Sequence, residues 1–128
     1  MHLKHSLAVA AACGLWAGLP ITANAQGQGE VQDQVHADGL ALAQRKACMA
    51  CHQVDSKRVG PPLRSVAERY AGQGDAMVQY LAGKIRGGGR GAWGAVPMPA
   101  QSQVSEDEAR QLAQWVLSLA PAKPAVPE

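Results

Sequence analysis

The chain has 128 residues, with 12 Lys or Arg against 10 Asp or Glu and a formal net charge of +2. That length makes one small domain with a limited core, and so even a balance without a basic tract argues against a nucleic-acid binder that works by neutralising phosphates. Phe is absent and aromatic residues make up 4% of the chain, so the core must be built mainly from aliphatic side chains.

Residues 1–25 read as a secretory signal peptide. Lys4 supplies the positive start, Leu7 to Leu19 the apolar stretch, and Ala23-Asn24-Ala25 the small-residue cleavage site. The apolar run is short and Pro20 follows it, so no stable membrane anchor is expected and the mature chain is expected in the periplasm. Cys13 lies within the apolar stretch and is expected to be discarded with it. Cleavage before Gln26 leaves residues 26–128; without Lys4, 11 basic residues face 10 acidic ones.

Residues 26–36 are rich in Gln and Gly and lack periodicity, which reads as a flexible lead-in. A domain is expected over residues 37–120. Its first helix should begin near Asp38 and run through Leu40, Ala43 and Ala47 into Cys48-Met49-Ala50-Cys51-His52. Cys-x-x-Cys-His is the attachment pattern of a c-type haem. Two thiols three residues apart lie about one helical turn from each other, a span that suits two vinyl groups on one porphyrin edge. His52 then falls where it can offer a neutral imidazole nitrogen to the iron, so one covalent haem c and its iron are expected. Other uses of the two cysteines fit less well. A thioredoxin-like motif needs a strand-helix-strand context that is not visible. A structural zinc needs four ligands, and neither a second Cys pair nor a later His follows. A disulfide across two residues is strained and leaves His52 unused.

Further along, apolar spacing predicts a helix over about Leu63 to Tyr70 and another from Gly74 to Arg86, with Met77, Leu81 and Ile85 on one face. The Gly87-Gly88-Gly89-Arg90-Gly91 stretch matches neither a P-loop nor a dinucleotide fingerprint. No segment alternates as a strand. The clearest helix runs from Ser105 to Leu119: Ser105 and Glu108 form a capping box, and Ala109, Leu112, Val116 and Leu119 make an apolar stripe with Trp115 beside it. Pro121 stops it, and residues 121–128, with three prolines, read as a disordered tail.

The candidates for a second axial ligand are Met49, Met77, Met98 and His36. Met49 is too close to the motif to reach the far side of the ring, Met77 belongs to a packing stripe, and His36 lies in the polar lead-in. Met98 stands between Pro97 and Pro99, which restrict the backbone and should deny it helix and sheet, leaving a stiff loop that can hold a thioether against iron. Packing as a buried loop methionine is its alternative role. His/Met ligation fills both axial positions, which points to electron transfer without bond-making chemistry, and so to a protein that is not an enzyme.

Cys48-Met49-Ala50-Cys51-His52, Val59-Gly60-Pro61, Trp93-Gly94-Ala95-Val96-Pro97-Met98-Pro99 and Trp115-Val116-Leu117-Ser118, in that order, resemble class I cytochrome c, and within it the small bacterial cytochrome c-551 or c8 group. The resemblance covers about residues 36–119. It implies an all-α fold of about four helices around one haem, with the first and last helices crossing near Leu40 and Leu112. It implies His52 and Met98 as axial ligands, the Pro61 carbonyl as the partner of His52, and Trp93 at a haem propionate. Lys84 falls where the family has a basic residue on the propionate side, though an exposed helix charge is an equal alternative. The family often has an Asn just after the ligand methionine; here Ala100-Gln101-Ser102-Gln103 is one residue longer, with Gln101 as a candidate for that role.

The function implied is that of a monomeric carrier exchanging single electrons with redox protein partners, a nitrite reductase or a terminal oxidase among them. Met49, Ala95, Val96, Pro97 and Pro99 would flank the haem edge, with Lys57 and Arg58 near it as steering charges or as a merely solvated turn. A dedicated haem subunit of a periplasmic dehydrogenase is a second reading. A haem ligand-binding sensor with an open sixth site is a third.

Overall fold

The structure, a computed structural model, describes residues 26–121, with side chains from residue 29. The expected signal peptide with Cys13, and residues 122–128 of the tail, lie outside the described residues. In chain order the elements are α1 (Gln26–Arg45), a 3-10 turn (Cys48–Ala50), α2 (Leu63–Tyr70), α3 (Asp75–Gly87), β1 (Gly89–Gly91), β2 (Gly94–Met98) and α4 (Glu106–Ser118).

The last helix organises the rest. Ser105 caps α4 as its spacing predicts: its hydroxyl accepts from the Glu108 amide, and the Glu108 carboxylate accepts from the Ser105 amide, which satisfies two of the four orphan donors at the helix start. Ala109, Leu112, Ala113, Trp115, Val116 and Leu119 are buried. Against them lie Leu42 and Ala43 of α1, Leu63, Val66 and Ala67 of α2, and Leu81 and Ala82 of α3, so α4 packs on all three other helices. At the crossing with α1, a Cβ on Gly39 would stand 2.1 Å from Trp115 Cγ. Glycine there lets the two backbones close on a large ring. The crossing thus lies beside Leu40 and about one turn along α4 from Leu112.

Three features differ from the sequence reading. First, α1 already covers Gln26 and the residues after it, well before Asp38. Its Gln and Glu residues are good helix formers, Gln34 donates to Asp38 at 2.9 Å one turn on, and residues 29–38 are exposed, which explains why no apolar period marked them. Second, the helix does not run into the cysteines. It ends at Arg45, and Ala47 adopts a left-handed conformation (φ 60°, ψ 18°) before the 3-10 turn. Third, a two-stranded antiparallel hairpin exists. Gly89 pairs with Met98 and Gly91 with Gly94, around the turn Ala92-Trp93, so Met98 belongs to a strand despite its flanking prolines. Pro97 is tolerated because a two-stranded ribbon is all edge. The glycine-rich composition and exposure on both faces hid any alternation.

Among the described residues no helix is long and apolar enough to cross a membrane.

Candidate functional site

The cysteines are set by a chain reversal. After Ala47 the backbone winds tightly enough that the amides of Cys51 and His52 both donate to the Cys48 carbonyl, at 3.2 and 3.0 Å. Cys48 is half-buried and Cys51 exposed. Burial pushes the Cys48 thiol above its ordinary value, against a smaller opposing effect of a backbone hydrogen bond.

His52 is oriented by the loop that follows. Its Nδ1 lies 2.9 Å from the Pro61 carbonyl oxygen. A carbonyl only accepts, so Nδ1 carries the proton and Nε2 keeps its lone pair for another partner. Gly60 closes on the same ring: a Cβ there would fall 2.4 to 2.9 Å from Cε1, Nδ1 and Nε2, and the Gly60 amide donates to the Cys51 carbonyl at 2.8 Å. Val59-Gly60-Pro61 is thus a clamp in which glycine allows the approach and proline supplies the acceptor. Gly60's part was not assigned from the sequence, although the tripeptide itself stood out.

Met98 arrives from the far end of β2. Gly88 sits against this segment with φ 73°, and a Cβ there would stand 2.6 Å from the Met98 carbonyl oxygen and 2.9 Å from the Ala100 nitrogen. Beyond Met98, the Gln101 amide nitrogen donates to Ile85 at 3.1 Å, while its side chain donates to the Pro99 carbonyl at 2.9 Å and accepts from Gln103 at 2.8 Å. Gln101 is therefore committed to its own loop and makes no hydrogen bond to Met98.

The two cysteines, His52 with its clamp, and Met98 face one cavity of about 280 Å³. Cys48, Cys51, His52, Pro61, Lys84, Trp93 and Met98, drawn from five separate segments, all line it. The remaining lining is mostly apolar, including Leu63, Leu81, Leu112 and Val116. Trp115 also lines it, and its buried Nε1 has no protein partner. An apolar slot with two thiols, an imidazole with a free nitrogen and a thioether on its walls fits a covalently held iron tetrapyrrole. Met49 is less exposed than expected: it packs partly against the core. Met77 is partly buried on α3 and lines no part of the cavity.

An aromatic cluster that the sequence reading did not assemble borders the cavity. Tyr70 lies 5.6 Å from Tyr80 and 6.5 Å from Trp93 between ring centroids. Lys84 Nζ lies 5.4 Å over Tyr80, and Arg69 lies 4.9 Å over Trp93. Burial, then the neighbouring Tyr80 phenol, pushes the Tyr70 phenol above its ordinary value. The contacts join α2, α3 and the hairpin, and no local period reveals them.

Proteins of similar sequence are known. A family model described as Cytochrome c matches residues 36–120. Cytochrome c-552 of Hydrogenobacter thermophilus is 59% identical over 78 residues, covering 61% of this chain and 78% of that protein. Cytochrome c-551 of Pseudomonas aeruginosa is 48% identical over 81 residues, covering 63% of this chain and 76% of the relative. The crystal structure of wild-type Nitrosomonas europaea cytochrome c552 superposes with a TM-score of 0.60 at 49% identity, over 62% of this chain and 98% of the other.

Proposed function

The chain belongs to the cytochrome c family, a monohaem c-type electron carrier and not an enzyme, and from that premise we propose that it works in the periplasm with its iron held between His52 and Met98. The observation that carries this reading is His52 Nδ1 bound to the Pro61 carbonyl at 2.9 Å, with Nε2 left over in a cavity that Met98 also lines. The bound haem c supplies a one-electron ferric/ferrous couple.

The chain's residues do the rest. Cys48 and Cys51 hold the group by thioethers. Pro61 locks the His52 tautomer, as hydrogen-bond partners commonly do for ligating histidines. The Met98 thioether is soft and favours ferrous iron, which raises the potential above that of a two-histidine site. With His52 and Met98 both holding the iron, small molecules would be kept from the metal. Lys84 and Trp93, which both line the cavity, would serve the propionates.

Residues 1–25 have the pattern of an export signal, which supports the periplasmic assignment. The chain acts as a monomer. Its partners are redox proteins, a nitrite reductase or a terminal oxidase among the candidates. Val59, Val96 and Pro97 line the cavity and are exposed, and Lys57 and Arg58 are exposed beside Val59. A small apolar patch with charges at its edge suits brief, weak contacts.

Substitution at both ligands tests the reading. Met98→Ala should leave covalent haem in place, open the sixth position to carbon monoxide in the reduced protein and lower the potential. Native protein should bind no carbon monoxide. His52→Ala should yield little or no normally matured holoprotein. Unaltered ligation spectra in Met98→Ala contradict the assignment and favour an open-site sensor.

A further inference from the structure

Trp93 occupies an unusual position for a residue given a precise polar task. It sits on a two-residue turn at the tip of a short hairpin, 38% exposed, between Gly91 (φ 84°) and Gly94 (φ 119°). Glycines on both sides loosen the backbone that carries it. The strands themselves are exposed over most of their length, so burial does little to fix the turn.

One side chain makes up for this. Arg69, near the end of α2, reaches across to the turn, and its Nη1 donates to the Ala92 carbonyl at 2.9 Å. The same guanidinium lies over the Trp93 ring at 4.9 Å, while Tyr70 meets that ring edge-on at 74°. Among the described residues no other side chain outside the hairpin hydrogen-bonds to it. Arg69 itself lines no part of the cavity, whereas Ala92 and Trp93 both do.

We propose that Arg69 is a positioning residue that fixes the Trp93 indole at the cavity rim by holding the Ala92 carbonyl and the face of the ring together. It lies outside the cavity and acts through Trp93. The proposal rests on the reading above in one respect: the purpose of the fixed indole is its contact with a haem propionate. Arginine suits the task because its planar fork can stack on a ring and donate in its own plane at once. A lysine ammonium, a point charge on a flexible stem, can satisfy one of these contacts at a time.

The test uses reduced holoprotein and the Trp93 indole N–H, followed by NMR in native protein, Arg69→Ala, Arg69→Lys and Trp93→Phe. In Arg69→Ala the Trp93 N–H resonance should move and its exchange with solvent should rise about tenfold or more, as expected when a tethered turn is freed to open locally. The methionine-to-ferric-iron absorption band, read in oxidised samples of the same variants, should stay in place, which separates local release from general unfolding. Arg69→Lys should recover less than half of the protection. An unmoved Trp93 N–H with unchanged exchange in Arg69→Ala overturns the proposal. Trp93→Phe judges the underlying reading separately: a changed reduction potential supports the propionate contact, and an unchanged one contradicts that contact while leaving the Arg69 result to stand by itself.

Discussion

At the scale of single residues, backbone conformation and close approach decide more than side-chain chemistry. Ala47 is the one non-glycine residue with positive φ among those described. A left-handed conformation costs an L-residue about 1–2 kcal/mol, part of which glycine gives back through its freer unfolded chain. Ala47→Gly should therefore stabilise the holoprotein by about 1 kcal/mol in denaturant unfolding. A lower midpoint would show that the left-handed turn is not strained. Gly60 is the opposite case. Any Cβ there meets the His52 ring, so Gly60→Ala should cost about 1–3 kcal/mol as overpacking and weaken the low-spin spectrum by tilting the imidazole. Wild-type spectra and stability in that variant would mean that the loop yields freely.

At the scale of elements, legibility followed local pattern. The helices α2 and α4 were readable almost to the residue because apolar periodicity, a capping box and punctuating Gly and Pro agreed. The exposed first half of α1 gave no period, and the hairpin gave no alternation, because neither element buries one face. One further tie joins elements far apart in sequence. Lys46, just past α1, pairs with Glu108 at 2.8 Å and donates to the Gln103 carbonyl at 3.2 Å. The lysine first, and the Ser105 amide next, hold the Glu108 carboxyl below its ordinary value. A depressed folded value means stability that is present above the unfolded glutamate value and is lost as pH falls through the folded one. Lys46→Met should therefore lower the unfolding midpoint at neutral pH, with the deficit shrinking under acid conditions and in high salt. A deficit independent of pH would assign the loss to packing of the lysine stem instead.

At the scale of the whole molecule, the site is a meeting of distant segments. Cys48, Cys51 and His52 were legible because five contiguous residues carry them. Met98 stood out through its proline flanks, although those prolines suggested a loop and the chain forms a strand edge. Arg69, Gly60 and Gly88 were not assigned roles, since what they do depends on which rings and carbonyls the fold brings to them. The fold explains why so small a chain, without a single Phe, closes on itself: α4 supplies one continuous apolar face to three helices, and the cavity they leave takes an apolar cofactor into the interior. A covalently held haem in a partly exposed cavity then suits a carrier of single electrons and not a catalyst.

The most direct check of that account is the visible and far-red spectrum of the chain matured with covalent haem, in both oxidation states. A methionine-to-ferric-iron charge-transfer band is expected in the oxidised protein, lost in Met98→Ala, with sharp low-spin bands on reduction. Covalent haem without that band in the native protein would contradict the pairing of His52 with Met98.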